Sequence, residues 1–540
     1  MSEVDQDVVD VVVVGAGFAG LYGLIRFREQ GLSVRGIEAG DDVGGVWYWN
    51  RYPGARCDIQ SIDYSYGFDE ELQQEWVWTE RYAPQPEILA YLQHVAERHR
   101  LRPLIDFGTR VTKAQWDAEA ALWQVDTDHG ATLRARFVVL ATGQLSAALD
   151  PQFPGRDEFA GRTLYTSRWP HEPVDLSGLR VGVIGTGASG IQSVPLIAEH
   201  AAELVVFQRT ANFTIPTLVP PLDPEELAEV KRTYPERRAI SRRTRTGYPE
   251  RGQDVRAFDV SAEEREAVYE ESWVFGGVQF ARAFSDQLVD ERSNRAAADF
   301  VKAKIRSIVN DPAIAAALTP DHAIGSRRVC TDQGYYESFN RPNVRLVNLR
   351  EDPIERFTPH GIRTASGEHE LDVVILATGF DAISGAVMRI DIVGEGGRTL
   401  CEAWADGPQT YLGLMSVGFP NLFMTTGAGS PTVLASLVPH SEQHIEWISD
   451  CIARLDEAGY RTIEPTLEAQ DAWGETIERN SRGTVLAGGD SWYLGANVEG
   501  KPRKFMAFIG GLGMYTAICD EIAADDYRGF RRTTADAVVR

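Results

Sequence analysis

The sequence predicts an α/β protein built from two Rossmann-like dinucleotide-binding domains and a helical insert. Three observations predict it. A β-branched run near the start of the chain closes on a glycine-rich turn, the same grammar returns from Arg180, and a charge-rich stretch from about Pro216 to Asp321 carries helical segments instead.

In the first unit the strand Val8–Val14 runs into Gly15-Ala16-Gly17-Phe18-Ala19-Gly20, then a helical Leu21–Gln30 and a second strand, Ser33–Glu38. Glycine at 15, 17 and 20 permits a tight turn and lets a pyrophosphate approach the helix N-terminus, where unpaired N–H groups and the helix dipole favour anions. Glu38 stands 18 residues past Gly20, where such folds place a carboxylate to accept hydrogen bonds from ribose hydroxyls. This pattern suits FAD. In the second unit the strand Arg180–Ile184 precedes Gly185-Thr186-Gly187-Ala188-Ser189-Gly190, a helix through about His200, and a strand Glu203–Gln208. Here Arg209 and Thr210 follow the strand in place of an acid, and a guanidinium pairs with a 2′-phosphate that a glutamate would repel, so this unit suits NADPH.

Two further strands, Phe137–Leu140 and Val373–Leu376, each close on Ala-Thr-Gly and bracket the second unit. Charge-rich segments such as Glu225–Arg238 and Ala297–Val309 form the insert. After Thr378 come strand and turn character around Pro420–Met424 and a helix from about Ser436 to Ala458, which rejoin the first domain. The expected boundaries are 1–144 with 380–540 for the FAD domain, 145–213 with 326–379 for the NADP domain, and 214–325 for the insert.

Composition bounds what such a chain does. At 540 residues, 43% hydrophobic and 24% charged, it holds enough apolar matter for large cores and is no disordered chain. Its formal charge of −24 repels nucleic acid and anionic membrane surfaces, so neither is expected as a partner. The five cysteines are scattered with no CxxC pair, which suggests neither a disulfide framework nor a redox dithiol and fits a reducing cytoplasm. The N-terminus MSEVDQDVVD carries acids where a signal peptide needs a basic patch, and no stretch reaches the roughly 18 apolar residues of a membrane span. No metal is expected. With a flavin unit, an NADPH unit and no dithiol, the flavin must pass its electrons to something other than a disulfide, and oxygen is the obvious acceptor.

The segment Gly44-Gly45-Val46-Trp47-Tyr48-Trp49-Asn50-Arg51-Tyr52-Pro53-Gly54-Ala55-Arg56-Cys57-Asp58 sets aromatics, a proline turn and a carboxylate just after the first unit. At these residues the sequence resembles the Baeyer–Villiger monooxygenases, FAD- and NADPH-dependent enzymes that insert oxygen beside a ketone carbonyl. Gly44 to Asp58 matches one family fingerprint throughout, and Phe159 to Pro170 matches a second with Tyr165 in place of its histidine. Tyrosine keeps a hydrogen-bonding hydroxyl but takes no positive charge near neutral pH. Trp47–Asp58, Glu80–Ala83, Trp169–Asp175 and Ser491–Tyr493 resemble the phenylacetone and steroid monooxygenase branch, which accepts aryl, bulky or cyclic ketones.

The resemblance implies a reaction through a C4a-peroxyflavin that stays deprotonated beside a cation. It makes Arg328 that cation, Asp58 its orienting carboxylate, and Arg327 the neighbour of NADP in place of the family lysine. It also implies that Arg56 and Trp492 help hold NADP, and that Val46, Trp47, Asp58, Tyr64, Val111, Gln192 and Leu437 stand among the cofactor-binding positions. Gln144, Leu145, Val329, Thr432, Val433 and Leu434 are the implied walls of the ketone pocket, with core packing an equal reading of the leucines. Two other readings stay open: a flavin monooxygenase that oxidises amine nitrogen or sulfide sulfur, and a flavin sensor that oxidises NADPH without oxygenating anything.

Overall fold

In the computed structural model, which describes residues 8–217 and 220–534, strand β1 (Val8–Val14) lies at the centre of an eight-stranded sheet. The acidic start of the chain, residues 1–7, lies outside the described residues. On one flank β1 pairs in parallel with β2 (Val34–Ile37), and on the other with β3 (Thr132–Leu140). Successive side chains of a strand point to opposite faces, and the valines obey that rule. Val11 and Val13 pack with helix α1 (Phe18–Glu29) on one side, while Val12 and Val14 pack with Val111, Trp116 and Trp123 on the other. A strand buried on both faces needs an unbroken apolar run, which is why four consecutive valines stand here. Asp391–Val393 and Leu422–Met424 complete the same sheet from the C-terminal part of the chain.

A second sheet has five strands, all parallel, in the order Val344–Asn348, β5 (Glu203–Gln208), β4 (Arg180–Ile184), β6 (Val373–Leu376) and Arg162–Tyr165. Helix α2 (Ala188–His200) covers one face, sharing a core with Val181 and Val183. The aromatic residues Tyr269, Phe280, Phe284 and Phe300 of the insert join that same core, so the insert is packed onto the second sheet. Both sheets place a glycine turn at the carboxyl end of their central strands, where open α/β sheets bind ligands.

The stretch expected as one helix over Glu225–Arg238 is two, Pro224–Arg232 and Tyr234–Ser241, parted at Thr233. Pro235 explains the break: it has no N–H to donate and its ring clashes with a carbonyl one turn back, so it fits only the first turn of a new helix. Arg237 in the second of these helices grips buried Asp63 through two hydrogen bonds of 2.7 Å, and Arg238 donates to Ser65 and to the Tyr66 carbonyl. These bonds hold the insert to the first domain.

Helix α3 (Leu437–Ala458) runs across the first domain and carries a buried carboxyl, Glu442, which accepts the N–H groups of Gly67 and Phe68 at 2.6 and 3.2 Å. Burial pushes its pKa up to about 7. A carboxyl raised in the folded state favours folding at low pH and loses that contribution as pH climbs from its unfolded value through 7. Gln at this position keeps an acceptor oxygen without the titration. Glu442→Gln should therefore be more favourable to stability at pH 8 than at pH 4.5, by about 3 kcal/mol relative to the parent chain. Denaturant unfolding at the two pH values checks it; equal effects at both would contradict it.

Candidate active site

The first glycine turn is shaped by backbone contact. Gly15 has φ +108°, and a Cβ on Gly20 would sit 1.8 Å from the Gly15 carbonyl oxygen, so helix α1 packs this tightly only with glycine at both places. Gly17 is different: a Cβ there would meet nothing nearer than the Gly45 Cα at 3.5 Å. Its backbone caps α1 with no side chain on the first N–H groups. Glu38 is buried and holds the Ala16 and Gly40 N–H groups, each at 2.7 Å, one on each carboxylate oxygen. Burial raises its pKa and these bonds draw it down. Each oxygen keeps a lone pair for a ribose hydroxyl, so the turn and the acid fit an adenine dinucleotide.

Around this turn, Val46 and Trp47 lie in the short helix Val46–Trp49, and the Trp47 indole donates to the Tyr64 hydroxyl at 3.3 Å. Tyr64 meets Phe18 edge-on with ring centroids 5.1 Å apart. Val111 is buried at the start of the strand Val111–Asp117, two residues beyond Thr109, whose N–H bonds the Glu38 carbonyl. Leu437 opens α3, half-buried.

The second turn repeats the construction. A Cβ on Gly190 would lie 2.1 Å from the Gly185 carbonyl oxygen, and Gly185 has φ +111°. A Cβ on Gly187 would meet nothing within 4 Å. That room, in front of the Ala188 and Ser189 N–H groups that begin α2, fits a pyrophosphate. The Thr186 hydroxyl donates to the Thr210 carbonyl at 2.8 Å and ties the turn to the loop that carries Arg209. Among the described residues neither Arg209 nor Arg327 has a hydrogen-bonded or ion-paired partner. Burial and then the Arg209 charge pull the Arg327 pKa down. Two neighbouring guanidinium groups, neither ion-paired among the described residues, suit an anion such as a 2′-phosphate. Gly187→Ala should raise the KM for NADPH about tenfold or more while the protein stays yellow, because only the pyrophosphate's space is lost. An unchanged KM would contradict the assignment of this turn.

The two units meet along the segment after the first turn. The Gln192 side chain on α2 accepts from the Tyr52 hydroxyl at 2.9 Å and donates to the Arg56 carbonyl at 3.2 Å. The Arg56 guanidinium donates to Glu80 and to the Tyr82 carbonyl. Two residues on, Asp58 takes the Arg328 guanidinium in a fork, with Nε and Nη2 donating at 2.7 and 2.9 Å, and Nη1 donates to the Val433 carbonyl at 2.6 Å. Burial lowers the Arg328 pKa, but the Asp58 charge and hydrogen bonds together with Tyr493 and Tyr248 outweigh it and the net shift is upward, so this arginine stays cationic.

Arg328 lines a cleft of about 810 Å³, counting its open mouth. Arg327, Val329, Val433 and Leu434 line it too; Gln144, Leu145 and Thr432 do not. Gln144 is buried and donates to the Thr426 carbonyl, Leu145 packs in a small apolar cluster with Trp492, and Thr432 is buried with φ +49°. The remaining wall is one that sequence reasoning missed: Thr246, Tyr248, Glu250, Val278, Gln279 and Arg282 of the insert, and Tyr493 beside Trp492. These residues come from loops and two short 3-10 turns with no periodicity to announce them. Burial pushes the Tyr493 hydroxyl up to about 12, and Tyr248 also shifts up for the same reason, so both face the cleft as neutral donors. Tyr165, in place of the fingerprint histidine, ends the strand Arg162–Tyr165 and donates to Asp150 at 3.0 Å. Among the described residues no group of three or more His, Cys, Asp or Glu could hold a metal ion, and no helix is long and apolar enough to cross a membrane.

Comparison with known proteins decides the family. The chain is 43% identical to a Baeyer–Villiger monooxygenase of Pseudooceanicola batsensis, over 98% of this chain and 97% of that one. The chain belongs to the Baeyer–Villiger monooxygenase family. A family profile described as pyridine nucleotide-disulphide oxidoreductase matches residues 12–292, and the chain belongs to that wider family as well. It is 41% identical to a phenazine N-monooxygenase of Lysobacter antibioticus, over 98% of each chain. A structure of oxidized steroid monooxygenase bound to NADP superposes with a TM-score of 0.94 at 55% identity, covering 97% of this chain and 99% of that one. Family membership accounts for the two turns: the cofactors are FAD and NADP.

Proposed function

We propose that the chain is an NADPH- and FAD-dependent monooxygenase that converts ketones, aryl, bulky or cyclic, to esters or lactones, and that Arg328 and Asp58 are the residues that make this possible. The observation that carries the reading is the Asp58–Arg328 fork, which fixes a guanidinium at the wall of a cleft in a chain that also holds a turn fitting FAD and a turn fitting NADP. When bound, FAD reduced by NADPH supplies the electrons that activate O₂. Arg328 spends three of its five N–H groups on Asp58 and Val433 and keeps two for the cleft. Those two are available to the negative charge that would develop on the ketone oxygen as its carbonyl carbon is attacked, and a donor already in place needs no reorganisation at that moment. Asp58 fixes the plane of the guanidinium. Val329, Val433, Leu434 and Ile59 give the ketone an apolar wall. Arg209, Arg327 and the Gly187 turn retain the dinucleotide, which shields the site from water.

The domain boundaries expected from the sequence stand as part of this proposal: 1–144 with 380–540 around FAD, 145–213 with 326–379 around NADP, and 214–325 as the insert that walls the cleft. A second reading, oxidation of a ring nitrogen, is favoured by the likeness to the phenazine N-monooxygenase. Purified protein supplied with NADPH and a panel of aryl and cyclic ketones, with phenazine beside them, separates the two by mass spectrometry. The proposal expects ester or lactone from the ketones; N-oxide alone would select the second reading.

A further inference from the structure

Arg282 lies in the short 3-10 helix Val278–Arg282 of the insert and lines the same cleft as Arg328. An arginine with a purely structural task spends its donors, as its neighbours do. Arg237 forks onto Asp63, Arg238 bonds Ser65 and the Tyr66 carbonyl, and Arg245 donates to the Ile509 carbonyl. Arg282 makes no hydrogen bond through its guanidinium to any described residue. Its nearest acid is Glu250, 3.7 Å away, beyond hydrogen-bond reach, and its side chain is only 25% exposed. Glu250 in turn is held by the Thr246 N–H at 3.0 Å and lines the cleft too. Arg282 thus brings to the cleft a guanidinium whose five donors no described residue takes up, and they are free for an acceptor that enters it.

Its place relative to the reacting end of the cleft is marked by two hydroxyls. Tyr248 and Tyr493 line the cleft with Arg282 and Arg328, and each hydroxyl feels the charges of both cations. Asp58 occupies one side of Arg328, and Arg327 belongs with Arg209 at the dinucleotide; Arg282 is left for the substrate.

We propose that Arg282, tuned by Glu250, is a specificity-determining residue that receives a carboxylate carried by the ketone at a distance from its carbonyl. The inference rests on the ketone-oxygenating function proposed above. An arriving carboxylate replaces the loose 3.7 Å contact with a two-bond fork, the geometry for which a guanidinium is suited. Glu250 weakens the attraction without blocking it, and so sets how strongly a charged ketone is preferred over a neutral one.

The test compares kcat/KM for 4-phenylbutan-2-one and for 4-(3-oxobutyl)benzoate, its para-carboxylate, in the FAD-loaded parent enzyme and in Arg282→Met, Arg282→Lys and Glu250→Gln. The expected result is that the ratio of carboxylate to neutral ketone falls about tenfold or more in Arg282→Met, chiefly through the KM of the carboxylate. Lysine restores part of the ratio, and Glu250→Gln raises it severalfold. A ratio unmoved by Arg282→Met and Glu250→Gln, or a loss that appears in the KM for NADPH, overturns this inference while leaving ketone oxygenation standing. If the parent enzyme makes ester from neither ketone, the functional reading fails and this inference with it.

Discussion

Arg328→Ala leaves NADPH able to bleach the bound flavin and removes ester formation, with a fall in oxygenation of about 10²–10³-fold or more. The asymmetry follows from where the side chain is spent. In the proposed function hydride delivery rests on the two glycine turns and on Arg209 and Arg327, none of which bonds the Arg328 side chain. The same proposal makes oxygenation rest on a fixed positive charge at the cleft, and alanine removes it while leaving Asp58 without its partner. Lysine should not rescue. Its single ammonium cannot make the fork to Asp58 and reach the Val433 carbonyl at once, so the charge survives without its orientation. Stopped-flow bleaching followed by product analysis on the same sample reads both halves; ester at the parental rate would take Arg328 out of the mechanism.

Gly20→Ala removes FAD altogether. The added methyl would sit 1.8 Å from the Gly15 carbonyl oxygen, and the obstacle is backbone, which cannot rotate aside. Relief requires α1 to move off β1, and that movement opens the turn that faces the pyrophosphate. The expected product is protein without the visible flavin spectrum, in contrast to Gly187→Ala, where no atom stands within 4 Å of the new methyl. Gly190→Ala is the informative control: its clash, 2.1 Å from the Gly185 carbonyl, is in the other unit, so it should spoil reduction by NADPH and leave flavin in place. Stoichiometric FAD in purified Gly20→Ala would contradict the account of the first turn.

Much of the scaffold was legible because the second sheet and the centre of the first are parallel and covered on both faces. Such strands carry unbroken apolar runs, and Arg180–Ile184, Glu203–Gln208 and Val373–Leu376 are each built around one. The glycine turns were legible because only glycine tolerates those φ values and contacts, so their spacing records the geometry. The split at Thr233 was within reach as well, since Pro235 marks it.

The site was less legible. Asp58 and Arg328 are 270 positions apart, and no local periodicity joins them; the family resemblance named both. The wall made by Tyr248, Glu250 and Arg282 left no trace in the sequence, because loop residues carry no repeating pattern and their side chains are brought to the cleft by the packing of the insert on the second sheet. Leu145 illustrates the converse: an apolar residue beside a glycine turn reads equally well as pocket or core, and it packs with Ala382, Ile383, Ala428, Met506 and Trp492.

The most direct measurement is the fate of oxygen itself. Purified, FAD-loaded protein turned over with NADPH and a cyclic or aryl ketone under ¹⁸O₂ should give an ester or lactone carrying one heavy oxygen atom for each NADPH consumed. NADPH consumption matched by hydrogen peroxide, with no labelled ester from any ketone, would contradict the account.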